Sequence, residues 1–289
     1  MVNSPTNNKK EDTVMTQKVV LTLSVATLAA GVGLARADIR DTIQNAASGT
    51  TVNVSGNYTV TQSIHVPSGV TVSGTAEFAF TDNTQDGFVV DSGKSGIKLS
   101  GFTVKGANHG FHIYGHNVDI ESCWAQYNAN TGIELQGSGA YNCTINNCQG
   151  KYNDDSTGGN ADGIDVKFGT GTGNKVTNSS AHDNSDDGYD YAGAGAPVTT
   201  SNCQAYNNGY YNGKTGNGDG FKMGLAGYPN EAHTYTSCVA HDNTKGDTGS
   251  GFDSNNNTGG IHLTTCHSYN NKQADRLQNC VLNNCTMQN

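Results

Sequence analysis

The chain has 289 residues and a formal net charge of −9, from 25 acidic and 16 basic residues. So acidic a surface repels nucleic acid and anionic membranes, and if its partner is also acidic, a local positive charge such as a divalent cation must bridge the two. With 38 glycines, only 4 prolines and no long stretch of helical periodicity between its ends, the body reads as all-β.

Residues before Met15 are polar and unpatterned and are set aside. From 15 to 37 the chain has a basic start at Lys18, an apolar run from Val19 to Leu34 and the small-residue site Ala35-Arg36-Ala37, the pattern of a secretory signal peptide. The run is short and broken by Thr, Ser and Gly, which argues against a membrane span. The expected mature chain, 38–289, is more acidic still and forms one domain. It opens with an amphipathic stretch, 38–47, carrying Ile39, Ile43 and Ala46 on one face. Such a helix would cap the open end of a stack of strands.

The body repeats. Cys123-Trp-Ala-Gln-Tyr-Asn, Cys148-Gln-Gly-Lys-Tyr-Asn, Ser179-Ser-Ala-His-Asp-Asn, Cys203-Gln-Ala-Tyr-Asn-Asn, Cys238-Val-Ala-His-Asp-Asn and Cys266-His-Ser-Tyr-Asn-Asn are six copies of one strand and its turn. A second strand recurs at Gly87-Phe, Gly110-Phe, Gly132-Ile, Gly163-Ile, Gly188-Tyr, Gly220-Phe and Gly251-Phe. The irregular repeat, 24 to 35 residues, fits coils whose strands stay in register while loops vary, and points to a right-handed parallel β-helix. Propellers and leucine-rich repeats have other periods and signatures.

In such a solenoid every repeat position becomes a column. With the residue after each Gly turned inward, the next faces outward, giving Val89, His112, Glu134, Asp165, Asp190, Lys222 and Asp253 in successive coils. The residue before each Gly (Asp86, His109, Thr131, Asp162, Asp187, Asp219, Ser250) is read as sharing that face. Six of the eight cysteines share a further column, with Ser179 in the same slot. In an exported protein this is compatible with disulfides, and equally with a buried stack of small reduced side chains. Thiols stacked in a column do not converge on zinc.

Three successive coils concentrate carboxylates around one lysine: Asp162 and Asp165, then Asp186, Asp187 and Asp190, then Asp219 and Lys222. A lone Asp beside Gly is an ordinary turn former. Several stacked at one strand spacing repel one another unless a cation or protons neutralise them, and Ca2+, with 6 to 8 oxygen ligands in loose geometry, suits them best.

The segments Asn160 to Asp165, Ser185 to Asp190 and Asn217 to Gly224 resemble, in order and spacing, the pectate lyases of polysaccharide lyase family 9. The resemblance spans roughly Cys123 to Asn271. It implies a parallel β-helix in which Asp162, Asp186, Asp187 and Asp190 ligate Ca2+ and Lys222 is the base that cleaves pectate or a related uronan by β-elimination. Ile164 stands where the family has an aromatic, Asp219 where a neutral residue is common, and the chain is short for the family. An alkaline optimum is expected, because Lys222 must be neutral to accept a proton. A polygalacturonase-type hydrolase would also use paired carboxylates, but no Gly-His-Gly or Arg-x-Lys follows them. A non-catalytic carbohydrate-binding solenoid would be expected to show more than the single Trp124. Lys167 and Arg276 are candidate contacts for substrate carboxylates, while His109, His112, His182 and His241 have no assignable partner. The resulting expectation is a secreted monomer whose partner is an acidic polysaccharide.

Overall fold

The computed structural model describes residues 22–24 and 38–288, so the leader reading of 15–37 falls outside the described residues except for Thr22–Ser24, a short strand beside Thr51–Asn53. The expected cap is a short helix, Ile39–Gln44. The Asp38 side chain accepts a hydrogen bond from the Arg40 amide, and Ile39 and Ile43 are buried.

From there the chain winds as a stack of parallel strands. One coil comprises Thr144–Asn146, Gln149–Lys151 and Ile164–Lys167; the next comprises Lys175–Thr177, Ser180–His182 and Tyr189–Asp190. Each strand pairs in parallel with its counterpart in the following coil. Sequence reading identified the second and third strand of each coil and missed the first. That first strand has one inward residue, such as Ile145, Val176 or Tyr235, between two half-exposed or exposed ones, which is too short an alternation to register as a pattern.

Two corners per coil explain the recurring hexapeptides. Asn147, Asn178 and Asn202 adopt φ of 54°, 52° and 54°, and five residues later Tyr152, Asp183 and Asn207 do the same at 57°, 56° and 56°. Asn and Asp are among the residues that enter this left-handed region at least cost. The residue after the first corner turns inward as the Cys/Ser column, and its side chain donates to the carbonyl two residues back. The distances are 3.2 Å for Cys148, 2.7 Å for Ser179 and 3.3 Å for Cys203. A small donor is what this slot needs, so Ser179 substitutes for Cys. All eight cysteines are unbridged.

The residue after the second corner is a buried Asn in every coil from Asn128 to Asn271. Asn153 Nδ2 donates to Asn184 Oδ1 at 2.9 Å, Asn184 to Asn208 at 3.0 Å, and Asn208 to Asn243 at 3.2 Å. Each Oδ1 also accepts the preceding Asn's main-chain N–H. This ladder satisfies the polar groups that the corner buries.

The third strands form an eight-stranded sheet, with Ile64–His65, Phe88–Val90, Phe111–Ile113, Ile133–Gln136, Ile164–Lys167, Tyr189–Asp190, Phe221–Lys222 and Phe252–Asp253 pairing in chain order. Its inward side stacks Tyr189 on Phe221 at 4.6 Å and Phe221 on Phe252 at 4.8 Å, with the rings nearly parallel. The glycine before each inward residue has no room for a side chain: a Cβ on Gly188 would lie 2.6 Å from the Gly220 carbonyl oxygen and 2.9 Å from Ala205 Cβ. That close approach locks the coils in register and fixes the other side of this sheet.

Candidate active site

The register runs Val89, His112, Glu134, Asp165, Asp190, Lys222, Asp253, the outward column expected from the sequence. The residues before each glycine share this face, but strand alternation is not the reason. The strand begins only at Ile164, and the bend at Gly163 lets Asp162 and Asp165 reach the same lysine.

Asp162, Asp186 and Asp187 come together, each presenting an oxygen within 4.8 Å of the others', and all three are buried. Backbone amides orient them: the Asp187 N–H donates to Asp162 Oδ1 at 2.8 Å, Asn217 N–H to Asp186 Oδ1 at 2.6 Å, and Asp219 N–H to Asp187 Oδ1 at 2.7 Å. Asp187 Oδ2 accepts no hydrogen bond, although the Lys222 ammonium lies 3.1 Å away. Burial and the neighbouring Asp162 push the Asp186 carboxyl up to about 8. Burial and Asp186 raise Asp187 well above the usual carboxylate range. The cluster thus holds more negative charge than its protein surroundings neutralise.

Asp190 differs from the other three. Its Oδ1 accepts the Ala192 N–H at 2.8 Å, and its Oδ2 lies 3.1 Å from both Lys167 Nζ and Lys222 Nζ. Burial works against its charge, but the two lysines prevail and hold its pKa below the ordinary value. Lys222 is held protonated in the same way, because Asp187 and Asp190 outweigh the effect of burial.

Lys167 is not a free substrate contact. It is buried, with Asp162 at 2.7 Å, Asp165 at 2.9 Å and Asp190 at 3.1 Å. Alternation from Asp165 already put it on this face, but a sequence does not show that three carboxylates converge there. Arg276 pairs with Asp219, 3.1 Å away, and with Asp253. Asp219, pushed up to about 6 by burial and by Asp253, also accepts the Ser250 N–H at 2.8 Å, so it faces the arginine instead of joining the acidic trio. His182 and His241 stand on another face, each held by its neighbouring Asp at 2.7 Å, and they flank Tyr206 at ring distances of 4.5 and 5.1 Å. A concavity of about 780 Å3 is lined by residues including Trp124, Gln149 and Gln204 and by none of the clustered acids.

A parallel β-helix with three converging aspartates and an ion-paired lysine on one outward face defines the class of this protein. The chain belongs to the family described as Pel9A-like, right handed beta helix region, whose model matches residues 19–284. It is 36% identical over 170 residues to pectate lyase L of Dickeya dadantii (strain 3937), covering 56% of this chain and 38% of that protein. It is 30% identical over 213 residues to pectate lyase L of Paenibacillus polymyxa (strain SC2), covering 66% and 46%. The matched part therefore spans less than half the length of these relatives. Among solved structures, pectate lyase Pel9A shares the fold at a TM-score of 0.71 and 24% identity, over 93% of this chain and 79% of that one. A rhamnogalacturonan lyase does so at 0.65 and 23%, over 80% and 68%.

Proposed function

We propose that the protein is a calcium-dependent polysaccharide lyase that cleaves pectate or a related uronan by β-elimination. The observation that carries this is the convergence of Asp162, Asp186 and Asp187 within 4.8 Å, beside an ammonium that contacts both Asp187 and Asp190. Its relatives bear the name pectate lyase, which supports the same substrate class.

The residues fit Ca2+: three buried carboxylates, one with an oxygen lacking any hydrogen bond, form a hard-oxygen set in need of positive charge. Asp162, Asp186 and Asp187 would hold the ion, with Asp190, linked to them through Lys222, as the fourth ligand. When bound, calcium would supply attraction for the uronate carboxylate and stabilise negative charge developing next to it.

Lys222 then takes the proton from C5, the carbon α to that carboxylate, onto Nζ. The C–H electron pair forms the C4=C5 double bond, and the C4–O bond breaks with its pair leaving on oxygen. Because Asp187 and Asp190 hold Lys222 protonated, the base must first be discharged, and neutralising those carboxylates favours this. Lys167 keeps Asp162, Asp165 and Asp190 in place.

The reading extends to an exported monomer acting on an acidic polysaccharide. Among the described residues no helix is long and apolar enough to cross a membrane. The deciding experiment follows the near-ultraviolet absorbance of the unsaturated uronate product with polygalacturonate as substrate, with and without calcium, for wild type and Lys222→Ala. A rise that needs both calcium and Lys222 is expected. New reducing ends without that absorbance would replace the lyase with a hydrolase.

A further inference from the structure

The same outward face carries a second cluster toward the N-terminal end, and its chemistry differs from that of the acidic trio. His109 precedes Gly110 and His112 follows Phe111, so the strand start at Phe111 puts both imidazoles on the face that Asp86, one coil earlier, also reaches. Asp86 Oδ1 lies 2.8 Å from His109 Nδ1, and Asp86 Oδ2 lies 2.9 Å from His112 Nδ1. The three offer one ligand atom each within 4.8 Å of one another, and both histidines are buried.

The far nitrogens are also engaged. His109 Nε2 meets Glu134 Oε2 at 3.0 Å, and His112 Nε2 meets Gln136 Oε1 at 3.2 Å. A carboxylate and an amide oxygen can only accept from these positions, which places a proton on each Nε2, while Asp86 accepts from each Nδ1, so a metal ion would bind there by displacing the two Nδ1 protons. Histidines that bind metals are held in this way, by an acceptor on the nitrogen away from the ion. Asn108 Nδ2 donates to Asp86 Oδ1 at 2.9 Å and steadies the carboxylate. Tyr114 Oη lies 3.4 Å from His112 Nδ1, and this tyrosine is half-exposed.

We propose that Asp86, His109 and His112 form a second metal site, selective for a divalent transition ion of the zinc class. Two imidazoles and one carboxylate with an open fourth position match that ion, whereas the all-oxygen trio suits calcium. Tetrahedral ligands at about 2.0–2.1 Å from zinc are about 3.3 Å apart, so the two separations between Asp86 and the histidines need to open by only a few tenths of an ångström. The site stands three coils from Asp190 along the outward column, about 14 Å at the spacing of parallel strands, and it does not depend on the lyase reading.

The test uses the full chain, dialysed against Zn2+ after chelation, with bound metal counted for wild type, His112→Ala, Glu134→Gln and Asp187→Asn. The visible spectrum of the Co2+-loaded protein reports nitrogen ligation. We expect one equivalent of zinc in wild type and in Asp187→Asn, its loss in His112→Ala, and an affinity about 10–100-fold weaker in Glu134→Gln, which removes only the outer acceptor's charge. Glu134→Gln is the milder change and keeps the test valid if His112→Ala fails to fold. No zinc retained by wild type, or an equivalent that survives His112→Ala and disappears in Asp187→Asn, would overturn the proposal.

Discussion

Lys167 and Lys222 are tied to a single oxygen: the Nζ atoms of both lie 3.1 Å from Oδ2 of Asp190. Their other partners separate them. Lys167 neutralises Asp162 and Asp165 in a buried position, while Lys222 neutralises Asp187 at the edge of the acidic trio.

The two lysines should therefore fail differently. Lys222→Ala removes the proposed base and is expected to lower turnover about 10²–10⁴-fold with the fold intact. Lys167→Met leaves buried carboxylates without their counter-ion and is expected to cost about 3–5 kcal/mol of stability. Urea unfolding alongside the product assay separates them. Equal loss of stability in both variants would remove the distinction drawn here.

Calcium should stabilise the protein more as pH rises. The Asp186 carboxyl, raised to about 8 mainly by burial and Asp162, is protonated in the folded metal-free chain across a range where it is ionised in the unfolded one. The stability gained from that proton is complete below the unfolded value near 3.8 and is lost as pH climbs toward about 8. Thermal unfolding in EDTA should show a falling midpoint between about pH 5 and 8, and the midpoint gain from calcium should widen over the same span. A calcium effect independent of pH would count against the trio as its site.

His233 sets a limit on the acid side. Burial holds it down to about 4, and its Nδ1 accepts the Val198 N–H at 3.0 Å. It is neutral when folded, so its stabilising contribution is complete above the unfolded value near 6.5 and disappears as pH falls toward about 4, a loss of up to about 3 kcal/mol. His233→Asn, which keeps an acceptor without the titration, should flatten stability over that window. An unchanged pH profile in chemical denaturation would show that another group is responsible.

The two inward columns should differ in tolerance. Asn184→Ala strands the main-chain and side-chain amides of Asn153 and leaves Asn208 Oδ1 with only the main-chain N–H of residue 184, and is expected to cost about 2–4 kcal/mol. Cys203→Ser keeps a donor for the Ser201 carbonyl, as Ser179 does in its own coil, and should cost under about 1 kcal/mol. Denaturant midpoints for the two variants provide the comparison.

The outward column was legible because a period of two, anchored on Gly and an aromatic, leaves no freedom once the coils stack. Asp165, Asp190 and Lys222 fall in it, whereas Asp162 and Asp187 reach the same face through the bend at the following glycine and Asp186 stands outside the count. Lys167 was read as a candidate contact for substrate carboxylates, since convergence of partners from three positions is a property of the winding and not of spacing. His109 and His112 lacked a partner in sequence even though Asp86 stood in the same column, because which neighbouring coil a side chain leans toward depends on the bend before each strand. The asparagines closing each hexapeptide were visible as a repeat, but their inward direction depended on the left-handed corner before them.

Those asparagines form a line with a sense of direction. From Asn128 to Asn243 each Nδ2 donates to the Asn of the coil that follows, the Ala107 N–H enters at Asn128 Oδ1, and the side chain of Gln288 accepts the last main-chain N–H, from Asn271. Every rung makes the same bond to its successor, so removing or duplicating a whole coil requires only the rungs at the cut to be rejoined. Coil number can therefore change without redesign of the interior, and loops of any length can be carried outside it, as in beads threaded on a keyed rod.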